Sequence, residues 1–177
     1  MEARGSSRAA TQQGAKARKL RVLLAEDDPG TATMYQIGLE LHGHVVRVAR
    51  DGEEALQMVR SEAPDIVLLD IEMPKLDGVR MVELLRQQPE TKQLPVVILS
   101  NTQRDGTLVL RLRALGVFGW MVKSRTSPRQ LAAVLDRWRR QGERAMTGPA
   151  ARATIESAID DIMQGVPGTR AGPRRSG

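Results

Sequence analysis

The stretch IVLLDIEMPKLDG, from Ile66 to Gly78, decides how the chain is organised. It begins with four apolar residues and then changes abruptly to the carboxylate of Asp70. A short apolar run bounded by turn residues predicts a buried strand, here one with both faces covered. A Met-Pro pair and an Asp-Gly pair follow and predict a loop, after which a helical pattern restarts. Asp70 is therefore expected at the carboxyl end of a central strand, where open α/β sheets place their functional groups.

Composition and charge exclude several classes of protein. The 177 residues suffice for one domain with extensions, and the absence of cysteine excludes disulfide scaffolds, thiolate nucleophiles and cysteine-based zinc sites. No apolar run approaches the roughly 20 residues of a membrane span, so we expect a cytoplasmic protein with no membrane contact. Residues 1–20 and residues 137–177 each carry a net charge of +4, and the middle carries −2. Such basic ends are usually solvated tails.

Apolar runs and helical patterns alternate five times along the middle of the chain. We predict strands at residues 21–25, 44–49, 66–69, 95–100 and 117–123. A helical pattern follows each strand, with Asp28 as the N-cap of the first helix and Gly43 as its left-handed stop. This alternation predicts an α/β domain with a parallel sheet, helices on both faces and right-handed crossovers.

Polar groups end four of these strands. The set comprises Glu26 and Asp27 after the first strand, Asp70 after the third, Ser100 at the end of the fourth and Lys123 at the end of the fifth. The carboxyl ends of parallel strands share one edge of the sheet, so these groups should converge. Clustered carboxylates suit a hard cation such as Mg²⁺ or Mn²⁺. With a lysine and a hydroxyl they predict phosphoryl transfer, with Asp70 as the nucleophile.

Residues 20–140 resemble the receiver domain of two-component response regulators. The resemblance rests on the acid pair after VLLA, the Asp-x-x-Met-Pro-x-x-Asp-Gly motif that begins at Asp70, Ser100 closing PVVILS, and Lys123 closing GWMVK. It implies a flavodoxin-like (βα)5 fold, a doubly wound parallel sheet of strand order 2-1-3-4-5, over residues 20–142. It also implies that a histidine kinase or histidine phosphotransfer protein phosphorylates Asp70.

The resemblance assigns roles to the other site residues. It implies that Glu26, Asp27, Asp70 and the backbone carbonyl of Glu72 hold Mg²⁺ (or Mn²⁺). Lys123 and Ser100 contact the phosphoryl oxygens. Ser100 then moves together with Trp120 as a switch, although a plain core or interface role for Trp120 is the alternative.

Two positions depart from the family pattern. Ser124 replaces the proline that usually follows the lysine, so we expect a trans peptide bond there. Asn101 stands where a small residue is common. We hypothesise that Asn101 and Glu72 flank the path of an attacking water and set the lifetime of the acyl phosphate.

The remaining residues predict an extension of the domain. Residues 1–19 should be a disordered basic tail, and residues 143–177 should form a linker, a short amphipathic helix at about 150–164 and a disordered basic tail. The apolar face of that helix comprises Ile155, Ala158, Ile159 and Ile162. We expect it to dock on its own domain, on a second copy in a homodimer, or on a partner.

The extension is too short for a winged-helix domain, which predicts a single-domain regulator that signals to a downstream protein by direct contact. The alternatives are a regulator that binds DNA through its basic ends, a scaffold with an inactive site, and an aspartate-nucleophile phosphatase. The phosphatase is disfavoured because the acid pair precedes the nucleophile and no cap domain is available. We therefore expect a phosphoacceptor rather than a turnover enzyme, and nucleic-acid binding is not expected.

Overall fold

Five parallel strands form a single sheet in the computed structural model, which describes residues 18–101, 106–141, 153 and 155–160. The strands are β1 (Arg21–Ala25), β2 (Val45–Ala49), β3 (Ile66–Leu69), β4 (Val96–Ser100) and β5 (Gly119–Val122). Their order in the sheet is β2-β1-β3-β4-β5, which confirms the predicted order. All four neighbouring pairs are parallel, so every strand ends at the same edge.

Helices alternate with the strands. They are α1 (Pro29–Leu41), α2 (Gly52–Glu62), α3 (Gly78–Gln87), α4 (Gly106–Ala114) and α5 (Pro128–Gln141). The prediction that β5 spans residues 117–123 was too long at both ends. A one-turn 3-10 helix, Lys123–Arg125, follows the strand directly, and the Thr126 N–H donates to the Lys123 carbonyl at 3.2 Å. Lys123 therefore lies in a turn just beyond the strand.

Local capping explains where the helices begin and end. The Asp28 carboxylate accepts a hydrogen bond from the Thr31 N–H at 2.7 Å, so the predicted N-cap of α1 is confirmed. Gly43 follows α1 with a φ of 87°, a left-handed conformation that glycine adopts without steric cost. Capping of this kind contributes about 1 kcal/mol per helix.

Two apolar layers cover the sheet. Val22 and Leu24 of β1 pack with α1 and α5, whereas Leu23 and Ala25 of the same strand pack with α2 and α3. This alternation is the period of two expected of a strand buried on both faces. All four residues of β3 are fully buried, as the opening stretch predicted. Burial of each large aliphatic side chain stabilises the fold by about 1.5–3 kcal/mol.

Residue 153 and residues 155–160 are helical; residues 155–160 are called the C-terminal segment below. Ile155, Ala158 and Ile159 are at most 3% exposed and belong to the apolar layer that contains α1 and α5. The C-terminal segment therefore docks on its own domain, which was one of the three predicted outcomes. Ile162, the linker and both predicted tails lie outside the described residues, apart from Arg18 and Lys19.

Candidate functional site

The sheet brings the predicted strand-end residues to one edge. The Asp70 N–H donates to the Ala25 carbonyl at 3.0 Å, and the Glu26 N–H donates to the Ala49 carbonyl at 2.9 Å. These bonds extend the ladder one residue beyond β3 and β1 and hold Glu26 and Asp70 side by side. Lys123 reaches the same place from the turn after β5.

Three carboxylates form a compact cluster at this edge. One oxygen each from Glu26, Asp27 and Asp70 lies within 4.8 Å of the other two. Glu26 is 1% exposed and Asp70 is 5% exposed, whereas Asp27 faces solvent. Converging carboxylate oxygens with one open side fit a hard divalent cation that keeps several waters. The residues present therefore suit Mg²⁺ or Mn²⁺.

Lys123 lies between two of these acids. Its Nζ is 2.5 Å from Asp70 Oδ2 and 2.6 Å from Glu26 Oε2, and its side chain is 11% exposed. Burial opposes the charge on Lys123, but the bonds to both carboxylates outweigh burial and raise its pKa. Burial also raises the pKa of Glu26, an effect that the hydrogen bond and charge of Lys123 partly offset. The site thus holds an ammonium group against two carboxylates.

Backbone amides fix the other oxygen of Asp70. The Ile71 N–H donates to Asp70 Oδ1 at 2.6 Å, and the Glu72 N–H approaches the same oxygen at 3.4 Å. Asp70 Oδ2 therefore faces Lys123 while Oδ1 is held by the main chain. The carboxylate is oriented before any ligand arrives.

Close backbone packing shapes the loop after Asp70. A Cβ on Gly78 would lie 2.3 Å from the Asp70 carbonyl oxygen, so only glycine fits at the start of α3. The loop is also tied to α2, because Lys75 Nζ lies 2.6 Å from Asp51 Oδ2. Lys75 has a φ of 64°. The sequence indicated the helix start at Asp77. It carried no signal for the ion pair between Lys75 and Asp51, because no local sequence pattern marks a lysine with a left-handed backbone.

Ser100 and Asn101 connect β4 to the lysine turn. Ser100 is 1% exposed and pairs in register with Val122 of β5. Asn101 Oδ1 accepts a hydrogen bond from the Ser124 N–H at 2.8 Å. The Lys123–Ser124 bond is trans, as expected, because the described residues contain no cis peptide. The proposed effect of Asn101 on acyl phosphate lifetime stays a prediction.

The remaining two predicted residues lie at different depths. Trp120 is 8% exposed and packs in the apolar layer with α2, α3 and α4. Glu72 is solvent-exposed. The switch role of Trp120 and the metal role of the Glu72 carbonyl stay predictions.

A buried tyrosine, whose role the sequence did not reveal, supports the lysine turn. The Tyr35 hydroxyl donates to the Thr126 carbonyl at 2.7 Å and lies 3.3 Å from the Lys123 carbonyl. Burial raises the pKa of Tyr35 to about 12, so the hydroxyl stays a donor at neutral pH. Helix α1 is thereby fixed to the turn that carries the lysine.

Comparison with known families identifies the family to which this fold belongs. Residues 22–136 match the family described as the response regulator receiver domain. The chain belongs to the response regulator receiver family. This receiver is 36% identical over 136 residues to the gliding motility regulatory protein of Myxococcus xanthus, a match that covers 77% of this chain and 17% of the relative. It is 37% identical to the transcriptional regulatory protein PhoP of Bacillus subtilis, over 64% of this chain and 45% of that protein.

Solved structures of receiver domains share the fold of this receiver. The chemotaxis protein CheY4 of Vibrio cholerae is similar with a TM-score of 0.62 at 28% identity, over 68% of this chain and 98% of that one. The BeF3-activated N-terminal receiver domain of Klebsiella pneumoniae RstA is similar with a TM-score of 0.58 at 34% identity, over 66% of this chain and 95% of that one. The chain thus contains the receiver domain typical of response regulators in two-component signalling.

The matches cover only part of the curated relatives. The receiver spans 45% of PhoP and 57% of the transcriptional regulatory protein AfsQ1 of Streptomyces coelicolor, which is 33% identical over 76% of this chain. Among the described residues, no helix has the length and hydrophobicity needed to cross a membrane.

Proposed function

We propose that this receiver accepts a phosphoryl group on Asp70 from a phosphohistidine of a histidine kinase or histidine phosphotransfer protein. The observation that carries the proposal is the oriented Asp70 carboxylate, with Lys123 Nζ 2.5 Å from Oδ2 and backbone amides on Oδ1. A carboxylate held in this way loses little orientational freedom when it attacks phosphorus.

The proposed phosphoryl transfer is a single displacement at phosphorus. A carboxylate oxygen of Asp70 forms a bond to phosphorus while the bond between phosphorus and the histidine nitrogen breaks. The nitrogen leaves with the bonding electron pair, and the phosphoryl group stays on Asp70 as an acyl phosphate. Lys123 exchanges its contact with the carboxylate for the phosphoryl oxygens, and the Ser100 hydroxyl donates to one of them.

The acid cluster supports a divalent cation at this site. We assign Glu26, Asp27, Asp70 and the backbone carbonyl of Glu72 as its protein ligands. A bound Mg²⁺ supplies positive charge that offsets the negative charge of the phosphoryl oxygens and the carboxylates. The chain's own residues supply the nucleophile, its orientation and the ammonium group.

The proposal is tested by incubating the full chain with phosphoramidate and Mg²⁺ and measuring the intact mass. Wild type should gain one phosphoryl group per chain, and Asp70→Asn should gain none. Asp77→Asn is the matched control, because Asp77 lies in the same loop but caps α3 by accepting from the Arg80 N–H at 2.9 Å, which asparagine also does. Equal uptake by wild type and Asp70→Asn contradicts the proposal.

We propose that the receiver signals by direct contact with a downstream protein. We also propose that it acts in the cytoplasm. The phosphorylated protein is itself the product. Uptake of phosphoryl groups should therefore stop at one per chain, and further donor should be consumed only as the acyl phosphate hydrolyses. Binding to DNA through the basic ends is the competing output, and a steep fall in DNA affinity with salt would favour it.

A further inference from the structure

The C-terminal segment contacts the edge strand of the sheet. Among the described residues β5 has a single neighbouring strand, β4, so it lies at the edge of the sheet. Ile155 and Ile159 are one helical turn apart and lie on one face of the segment. They are 0% and 3% exposed, and they join the apolar layer that contains α5.

Gly119 provides the space for this contact. A Cβ on Gly119 would lie 2.2 Å from Ile159 Cδ1 and 3.9 Å from Ile155 Cγ2. The end of the Ile159 side chain therefore occupies the place that any side chain on residue 119 would take. This close fit of an isoleucine against strand backbone marks a specific docking position.

One contact with a helix and one open cleft border the docking position. An open cleft of about 140 Å³ separates Glu156 and Ile159 of the segment from Leu112 of α4, with Trp120 of β5 at its base. On the other side, Arg137 of α5 donates to the Ser157 hydroxyl at 3.3 Å. The segment thus contacts β5 and α5 and lies beside α4 across the cleft.

The same strand leads to the phosphoacceptor site. β5 spans only four residues, with Gly119 at its start and Lys123 directly after its end. A phosphoryl group on Asp70 attracts the Lys123 ammonium, which now contacts both Asp70 and Glu26. Because Lys123 directly follows Val122, a shift of Lys123 towards the phosphoryl group would act on the end of β5.

We propose that the C-terminal segment is an intramolecular cap on β5 whose docking opposes occupation of the Asp70 site. The inference rests on the proposed phosphoacceptor function. The two equilibria are then linked. Docking of the segment lowers the affinity of the Asp70 site for a phosphoryl group or its mimic by some factor, and an occupied site lowers the docking constant by the same factor. Release of the segment uncovers the apolar surface of β5 and α5.

The test compares the full chain with its Ile155→Ser/Ile159→Ser variant, using beryllofluoride with Mg²⁺ as the phosphoryl mimic. Ala153→Ser is the control, because Ala153 is helical but exposed. In wild type and control, beryllofluoride should accelerate amide exchange of residues 155–160 about fivefold or more. The double variant should bind beryllofluoride tighter than wild type by the same factor.

The outcomes separate the two proposals. Beryllofluoride binding of equal or weaker affinity in the double variant, or unchanged exchange in wild type on binding, overturns the cap and leaves the phosphoacceptor proposal standing. Absence of binding to wild type overturns the phosphoacceptor proposal and the cap with it.

A compensating pair tests the contact itself. Gly119→Ala should accelerate amide exchange of residues 155–160, because its Cβ meets Ile159 Cδ1. Ile159→Val removes that methyl group, so the combined variant should exchange more slowly than Gly119→Ala alone. Additive acceleration by the two substitutions would overturn the assigned contact.

Discussion

Replacement of Lys123 by methionine removes the one ammonium group that contacts both Asp70 and Glu26. Methionine keeps most of the length of the side chain, so the change acts mainly on charge. The side chains of Glu26 and Asp70 are 1% and 6% exposed, and neither then has a cationic partner at hydrogen-bond distance among the described residues.

The loss of stability follows from this burial. Removing one partner of a buried ion pair costs about 3–5 kcal/mol, because the other charge is left buried and unpaired. Protonation of Glu26 limits the loss, since its pKa is already raised by burial. We therefore expect a decrease of about 3 kcal/mol in the free energy of unfolding at neutral pH. With a urea dependence of about 2 kcal/mol per molar, the midpoint falls by about 1.5 M.

Urea unfolding at several pH values measures this loss, with Lys75→Met as the control. The Lys75 side chain is 58% exposed, so loss of its ion pair with Asp51 should cost less than about 1 kcal/mol. In Lys123→Met the pKa of Glu26 rises further above its ordinary 4.5. The folded state then binds more protons than the unfolded state just above pH 4.5, so the loss shrinks as the pH falls through this window.

Added Mg²⁺ should restore more stability to Lys123→Met than to wild type, because the cation replaces the missing positive charge. Two results would contradict burial of these charges: a loss as small as that of Lys75→Met, or a loss that does not change with pH. Either would mean that the three charges are not buried together.

Two other substitutions probe the backbone and the core. Gly78→Ala should destabilise the fold by about 1–3 kcal/mol, because the new Cβ would clash with the backbone. Gly106→Ala is the control and should change stability by less than about 1 kcal/mol, because no atom lies within 4 Å of its Cβ position. Equal effects of the two substitutions in urea unfolding would contradict this. Burial lowers the pKa of His44 below 6.5. Stability should therefore fall with pH below about 6.5, since the unfolded state binds more protons. Thermal unfolding of His44→Gln should show a weaker fall, and an unchanged one would contradict the assignment.

Much of the fold followed from local pattern. The run Ile66–Leu69 predicted a strand buried on both faces, because only such a strand lacks polar alternation. The rule that parallel strands end at one edge then placed Asp70 and Lys123 together, although 53 residues separate them. The same rule required no knowledge of side-chain contacts.

The contacts that hold the site in shape did not follow from pattern. The Asn101–Ser124 and Asp51–Lys75 contacts join residues 23 and 24 positions apart, and each depends on how two loops meet. The bounds of β5 were wrong for a related reason. The apolar run ends at Val122, and nothing in the local pattern marks the turn that begins at Lys123, where the Tyr35 hydroxyl donates to the Thr126 carbonyl.

The Tyr35–Thr126 hydrogen bond spans 91 residues, which has a consequence for the order of folding. The three acids come from residues 26–70 and meet once β1 and β3 pair. The lysine joins them only after β4 and β5 have been added, and closing so long a loop is slow. During synthesis from the N-terminus, the acids therefore emerge before their cation. At that stage the three carboxylates would repel one another at the strand ends until Lys123 or a cation neutralises them.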